Sequence, residues 1–118
     1  MAIYSRHYCQ QLPKFQSGVS VLSWAYNEEK LIEGFVRRLD ALMGSCVEDY
    51  EIIVVDDGST DATNAILTRL EQEIPQLRLV VNPVNRNVGY SCRRAIASAS
   101  KEFLFWQTID WSYDIDLL

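Results

Sequence analysis

The chain has 118 residues, of which 48% are hydrophobic and 23% charged, a balance typical of one soluble globular domain. The formal net charge is -5, which argues against the broad positive surface that duplex DNA or anionic lipid requires, so no nucleic-acid partner is expected. No stretch reaches the roughly 18 apolar residues of a membrane span. Composition therefore favours one soluble globular domain over a nucleic-acid-binding or membrane protein.

The beginning of the chain and its cysteines bear on compartment. Residues 1–17 contain no apolar run, so they are interpreted as an N-terminal leader and not as a signal peptide. The chain has three cysteines, Cys9, Cys46 and Cys92. They are widely spaced and form no C-x-x-C pair, which favours reduced thiols over a zinc or redox centre. We expect a cytoplasmic protein with one domain over residues 18–118.

From Gly18 onward, short apolar runs alternate with longer amphipathic ones, which predicts repeated β-α units around a mainly parallel sheet. Strands are predicted at residues 19–24, 50–55, 77–81 and 103–106. Helices are predicted at residues 28–43, 61–73 and 90–100. The first helix is expected to be capped by Asn27, to hold Glu28 and Glu29 in its first turn, and to end before Gly44. The predicted fold is a three-layer α/β/α unit with right-handed crossovers.

Polar residues follow three of the predicted strands, at residues 25–29, 56–61 and 107–110. In parallel sheets, ligands bind beyond the carboxyl ends of the strands. The pair Asp56 and Asp57 directly follows an apolar strand, where a carboxylate needs a specific partner. Asp56 is interpreted as an acceptor for a base or ribose. The alternative is a turn through Gly58 with Ser59 or Asp61 capping the next helix.

A second acidic group contains Asp110, Asp114 and Asp116. Mg²⁺ and Mn²⁺ need only one or two protein carboxylates when phosphates and water fill the other positions, so Asp110 is a candidate metal ligand. A solvated loop is the alternative for all three residues.

Residues 85–94 form a turn that leads into a helix, where backbone N–H groups and arginines could hold phosphate. No P-loop or G-x-G-x-x-G motif is present.

Four segments, in order and at matching spacing, resemble the nucleotide-binding half of a GT-A fold glycosyltransferase of family 2. They are residues 19–29, 51–61, 87–94 and 103–110, and Val-Val-Asp-Asp-Gly-Ser-Thr-Asp is the most specific motif among them. The resemblance implies a Rossmann-like sheet, truncated here after its fourth strand. It also implies an enzyme that transfers a sugar from a nucleotide diphosphate to an acceptor hydroxyl with inversion.

The resemblance also implies roles for individual residues. Ala25 and Tyr26 would pack around the nucleotide, with Glu28 at its edge. Asp56 would bind the base, and Arg94 would approach the base or diphosphate. Asp110 matches the last aspartate of the family's D-x-D element, which binds the Mg²⁺ or Mn²⁺ that bridges the phosphates. Thr108 stands where that element has its first aspartate, so the expected metal site has one carboxylate fewer.

The resemblance implies that the family's general base lies in a region that follows residue 118, so no catalytic residue is assigned. The 118-residue chain alone is expected to be inactive. In a longer protein the acceptor would be a glycan or a lipid-linked group, and the enzyme would lie at the cytoplasmic face of the membrane. Self-association is expected because the truncated sheet leaves an edge strand.

Two other hypotheses remain. Thr108 and the short length favour a non-catalytic nucleotide-binding or regulatory module that has lost metal-dependent transfer. The length and the aspartate pair also suggest a phospho-acceptor receiver domain. Against that hypothesis, the pair follows the second strand and not the first.

Overall fold

The computed structural model describes residues 13–109, and these residues form one sheet of four parallel strands in the order β3-β2-β1-β4. The strands are β1 (Val19–Ala25), β2 (Tyr50–Asp57), β3 (Leu77–Asn82) and β4 (Phe103–Trp106). The helices are α1 (Ile32–Cys46), α2 (Thr63–Glu73) and α3 (Val88–Ser98). The predicted alternation of strands and helices is confirmed. The first two crossovers place β2 and β3 on one side of β1, and the third places β4 on its other side.

Alternating side chains of the strands divide the core into two layers. Val21 of β1 and Ile52 of β2 pack with apolar residues of α1 and α2 on one face of the sheet. Leu22 and Ile53 point to the other face and pack with Ala95 of α3. Because successive side chains of a strand point to opposite faces, continuous apolar strands supply both layers. The predicted three-layer α/β/α architecture is therefore confirmed.

The boundaries of the first helix differ from those predicted. Asn27 is not its cap: Asn27 lies in a turn with φ 53°, and the helix begins at Ile32 without a side-chain cap. Glu28 therefore precedes the helix. The helix also continues through Gly44 to Cys46, since the burial of Leu42 and Met43 outweighs the roughly 1 kcal/mol that a helical glycine costs.

The other two helices lie close to their predictions. α2 begins two residues later than predicted, and Asp61 accepts a hydrogen bond from the Thr63 N–H at 2.9 Å. α3 begins at Val88, two residues earlier, because Asn87 caps it by accepting from the Tyr90 N–H at 3.1 Å.

Part of the predicted leader contacts the sheet domain. The Phe15 N–H donates to the Cys46 carbonyl at 2.8 Å, and the Phe15 ring meets the Phe103 ring edge to face at 5.5 Å. Cys92 is a half-buried thiol, and burial raises its pKa.

Within residues 13–109, no helix combines the length and hydropathy needed to cross a bilayer.

Candidate functional site

A cleft of about 360 Å³ opens at the carboxyl edge of the sheet. The end of β1 and the turn after it contribute Trp24, Tyr26 and Glu28, and β2 contributes Asp57. The loop between β3 and α3 contributes Asn85, Asn87 and Val88, while Thr108 and Ile109 follow β4. This is the edge at which parallel α/β sheets bind their ligands, and the polar segments predicted to meet there do so.

Three of the residues predicted for the nucleotide site line this cleft: Tyr26, Glu28 and Thr108. Tyr26 is 44% exposed, so its ring is available to a ligand. Asp110, the predicted metal ligand, lies outside the described residues, as do Asp114 and Asp116. The remaining three predicted residues do not line the cleft, and the structure gives each a definite position.

Asp56 lies on the face of the sheet covered by α1 and α2. Its side chain is buried, and its two carboxylate oxygens accept from the Ser59 N–H at 3.1 Å and from the Asn64 side-chain amide at 2.9 Å. Ala25 is buried beside it, in register on the neighbouring strand. These contacts tie the end of β2 to the turn before α2 and to α2 itself.

Arg94 lies on α3, where it holds the end of β3. Its guanidinium donates to the Val81 carbonyl at 2.7 Å and to the side-chain oxygen of Asn82 at 2.8 Å. Both hydrogen bonds come from the same guanidinium nitrogen, Nη1.

Asp57 is the carboxylate that reaches the cleft. One oxygen accepts from the Asn82 side chain at 2.9 Å and from the Arg86 N–H at 2.8 Å. The other accepts from the Asn85 side chain at 3.2 Å and from the Asn87 N–H at 3.0 Å. Burial would raise the pKa of Asp57, but the hydrogen bonds from Asn82 and from the two backbone amides outweigh burial, so the pKa is lowered. Asp57 is therefore a carboxylate that holds one wall of the cleft in place.

Gly58 allows this wall to approach β2. Its φ is 72°, a left-handed conformation that favours glycine. A Cβ atom on Gly58 would lie 2.3 Å from the Asn85 backbone nitrogen and 2.5 Å from the Val84 carbonyl carbon. The predicted turn at Gly58 is thus also a close approach between the chain after β2 and the loop before α3.

The turns after β1 and β2 are joined by hydrogen bonds between side chains and backbone. The Asn27 N–H donates to the Ser59 hydroxyl at 2.9 Å, and the Asn27 side chain accepts from the Thr60 N–H at 2.8 Å. The Glu28 N–H donates to the Thr63 hydroxyl at 2.9 Å. The Asn-Glu and Gly-Ser-Thr segments therefore hold each other and fix the chain on both sides of Glu28.

The donor atoms of the cleft residues decide whether they could hold a metal ion. Within residues 13–109, no group of three or more His, Cys, Asp or Glu side chains could hold an ion. Both oxygens of Asp57 are engaged by two donors each, and Thr108 offers a hydroxyl in place of a carboxylate. The described residues therefore form no cluster of metal-ligating side chains.

The fold and cleft define a parallel α/β domain whose ligand site lies beyond the strand ends. The chain belongs to glycosyl transferase family 2, whose family model matches residues 20–118, and the receiver-domain hypothesis is therefore wrong. Curated relatives include two proteins named undecaprenyl-phosphate 4-deoxy-4-formamido-L-arabinose transferase. The protein from Enterobacter sp. (strain 638) is 38% identical over 71 residues, and the protein from Erwinia tasmaniensis 41% identical over 71 residues. These alignments cover 60% of this chain and 21% and 22% of the relatives, so the chain spans far less than their whole length.

Solved structures show the same GT-A fold. The mannosyltransferase PcManGT from Pyrobaculum calidifontis, in complex with GDP-Man and Mn²⁺, superposes with a TM-score of 0.69 at 24% identity. That match covers 89% of this chain and 33% of the mannosyltransferase. A structure of S. aureus TarS 1-349 in complex with UDP gives a TM-score of 0.65 at 26% identity, covering 79% of this chain and 27% of TarS 1-349. The predicted Rossmann-like GT-A fold is confirmed.

Sequence reasoning missed Trp24 and Val88 as lining residues and favoured Asp56 over Asp57. The alternation of β2 could have separated the two aspartates, because Asp57 shares its face with Val55 and Ile53, which pack toward α3. Because the predicted strand ends at Val55, the alternation in the prediction stops two residues before Asp57.

Proposed function

We propose that this chain is the donor-binding part of a glycosyltransferase and that it binds a nucleotide-diphosphate sugar in the cleft described above. The observation that carries the proposal is that family 2 membership coincides with a cleft at the carboxyl edge of the sheet lined by Trp24, Tyr26 and Glu28. Aromatic rings suit a base, and a carboxylate at the rim suits ribose hydroxyls. The bound UDP and GDP-Man of two structural neighbours support a nucleotide donor.

The proposed reaction is an inverting transfer. An acceptor oxygen attacks the anomeric carbon, a new carbon–oxygen bond forms there, and the bond to the diphosphate breaks as the nucleoside diphosphate departs. The printed names of the relatives support a lipid-linked phosphate acceptor, in which case the attacking oxygen belongs to phosphate and not to a hydroxyl. With a lipid acceptor, the protein would work at the cytoplasmic face of a membrane.

The metal is part of the proposal through Asp110. A Mg²⁺ or Mn²⁺ ion there would neutralise charge on the departing diphosphate. Mn²⁺ in the PcManGT complex supports this choice, and one carboxylate is enough when phosphates and water complete the coordination. Thr108 and Glu28 line the described cleft, which supports a role for the Thr108 hydroxyl beside the diphosphate and for Glu28 at the sugar or ribose.

Calorimetric titration of the full chain with UDP and GDP, with and without Mn²⁺, tests the proposal. We expect binding of at least one nucleotide that Mn²⁺ strengthens, and we expect Asp110→Asn to remove the Mn²⁺ effect. Asp56→Asn and Asp57→Asn form a matched pair that decides on which of the two adjacent carboxylates nucleotide binding depends. Since Asp57 reaches the cleft, its variant is expected to bind more weakly. A folded chain that binds neither nucleotide would contradict the proposal.

A second candidate is a nucleotide-binding module without transfer activity. Thr108 favours it, because the family's D-x-D element has an aspartate at this position. Nucleotide affinity that is the same with and without Mn²⁺, and unchanged by Asp110→Asn, would support the module over the enzyme. The converse test is Thr108→Asp, which introduces the carboxylate that the family's D-x-D element has at this position. Only in a metal-dependent site should this variant bind Mn²⁺ more tightly than the wild type.

A further inference from the structure

The charge of the chain is unevenly distributed along its sequence. Residues 74–101 contain five basic side chains and no acidic one, whereas the other residues contain six basic and sixteen acidic side chains. The net charge of -5 therefore conceals a basic segment that includes β3 and α3. Composition argues against a broad positive surface, but it leaves room for a local one.

Two of the five basic residues are exposed and unpaired. Within residues 13–109, Arg86 and Arg93 form no ion pair with a carboxylate, and both are exposed. The other three are engaged elsewhere: Arg78 and Lys101 contact carboxylates, and Arg94 donates to β3. The free positive charge of this segment is therefore concentrated on α3 and the loop before it.

Exposed apolar side chains lie on the same two elements. Val84 in the loop is 58% exposed, Val88 at the start of α3 is 49% exposed, and Ile96 further along the helix is 48% exposed. Arg93 and Ile96 are three positions apart, so they are neighbours on the outward side of the helix. Ala95 points the other way, into the layer beneath the sheet. The outward surface is thus both basic and apolar.

These exposed side chains are called the α3 patch, which consists of Val84, Arg86, Val88, Tyr90, Arg93 and Ile96. Within it the Arg86 guanidinium lies 5.4 Å from the centroid of the Tyr90 ring. We infer that the α3 patch docks on the surface of an anionic lipid bilayer. Apolar side chains enter the boundary between headgroups and acyl chains, arginines attract anionic lipids, and tyrosine suits the interface between the two regions. RNA or an acidic protein would engage the arginines but would give the aliphatic side chains no comparable role.

The α3 patch is continuous with the cleft. Val88 belongs to both, and Asn85 and Asn87, which flank Arg86 in sequence, also line the cleft. Docking of the patch would therefore place this wall of the cleft beside the membrane, where a lipid-linked phosphate acceptor resides. The link to an acceptor rests on the proposed function, whereas docking itself requires no nucleotide.

Sedimentation of the full chain with sucrose-loaded vesicles tests the inference. The vesicles contain phosphatidylcholine alone or phosphatidylcholine with 30% phosphatidylglycerol. We expect binding to the anionic vesicles, and we expect 0.5 M NaCl to weaken it. Arg86→Gln and Arg93→Gln should each weaken binding about five-fold, and the double variant about 25-fold, since one basic residue near an anionic surface contributes about 1 kcal/mol.

Two further variants separate charge from apolar contact. Arg37→Gln is the matched control, because Arg37 is an exposed arginine on α1, on the opposite face of the sheet, and its loss should leave vesicle binding unchanged. Ile96→Gln keeps every charge and should weaken binding at low and at high salt. Thermal denaturation shows whether each variant is folded, and the salt dependence of the wild type needs no substitution.

Three results would overturn the inference. They are a folded chain that does not bind anionic vesicles, a loss in Arg37→Gln equal to that in Arg93→Gln, and binding to polyuridylate in place of vesicles. Vesicle binding that Ile96→Gln leaves unchanged would also contradict docking through apolar side chains. A chain that binds UDP or GDP but no vesicles would overturn this inference alone, whereas one that binds vesicles but no nucleotide would overturn the proposed function alone.

Discussion

The side-chain amide of Asn82 donates a hydrogen bond of 2.9 Å to the carboxylate of Asp57, and both side chains are buried. Asn82 stands at the end of β3 and Asp57 at the end of β2, in register with each other. The same amide nitrogen donates to the Ser91 hydroxyl at 3.1 Å, and the Asn82 oxygen accepts from Arg94. This pair therefore connects two strands and α3 directly beneath the cleft.

We expect Asp57→Asn to loosen the loop between β3 and α3. Asparagine would turn an N–H₂ group toward the part-buried backbone donor of Arg86 or Asn87, which loses its acceptor at a cost of about 1–3 kcal/mol in the free energy of unfolding. Hydrogen exchange should accelerate at the Arg86 and Asn87 amides, and nucleotide affinity should fall.

Glu51→Gln is the matched control for that substitution. Glu51 is also a buried carboxylate, and it accepts hydrogen bonds from Ser20 and Ser100 at the opposite edge of the sheet. We expect this variant to lose stability without faster exchange at Arg86 and Asn87. Equal protection of these amides in wild type and Asp57→Asn would show that Asp57 does not hold the loop.

Gly58→Ala should be strongly destabilising. The added methyl group would meet the Asn85 backbone at 2.3 Å, and alanine disfavours a φ of 72°. We expect a loss of about 2–4 kcal/mol in urea denaturation.

Gly34→Ala provides the opposite case within the same chain. Gly34 lies on the exposed face of α1, and a Cβ atom there would have no neighbour within 4 Å. This substitution should stabilise the protein by about 0.5–1 kcal/mol, since alanine is the better helix former. Similar effects of the two glycine substitutions would contradict the close approach at Gly58.

Stability should fall at acid pH because of Asp57 and Glu51. Burial opposes ionisation of both groups, but hydrogen bonds outweigh it and lower both pKa values. A carboxyl whose folded pKa lies below its unfolded value, about 4, stabilises the protein above that pH. The stabilisation is then lost as the pH falls through the folded pKa. Urea denaturation between pH 7 and pH 2.5 should show this loss below about pH 4, with a smaller slope in Asp57→Asn.

An exposed ring of four charges joins α1 and α2. Arg37 contacts Glu33 at 3.0 Å and Glu73 at 2.7 Å, and Arg69 contacts the same two glutamates at 2.7 and 3.3 Å. Because the pairs are solvent-exposed, we expect Arg69→Gln to lower the thermal midpoint by less than about 5 °C. The difference should shrink at 1 M NaCl. A larger difference at high salt would contradict an electrostatic origin.

Self-association is expected through β4, one of the two edge strands of the described sheet. Its residues Phe103, Leu104 and Phe105 are 47%, 46% and 38% exposed, and unpaired edges with apolar side chains promote pairing between chains. Sedimentation velocity should show concentration-dependent association that Leu104→Lys reduces. A protein that stays monomeric at all concentrations would contradict this prediction.

Local patterns in the sequence were sufficient for the sheet and its helices. Runs such as that ending at Val55 are apolar and β-branched, and the stripe containing Phe35 and Leu39 has helical spacing, so strands and helices follow from periods of 2 and 3.6. The position of the cleft also followed, because parallel strands bring their carboxyl ends to one edge.

Only the tertiary structure decided which polar side chains form the cleft. Asp56 and Asp57 are adjacent and chemically identical, yet one binds the turn before α2 and the other binds the loop before α3. The cause is long-range: β2 continues to Asp57, and the loop that reaches it lies about thirty residues further along the chain. The sequence by itself determined the elements and the edge where they meet. Asp57 contacts the loop before α3 whereas Asp56 does not, Trp24 packs against Trp106, and that same loop approaches Gly58 closely. These contacts join residues far apart in sequence, so no local periodicity encodes them.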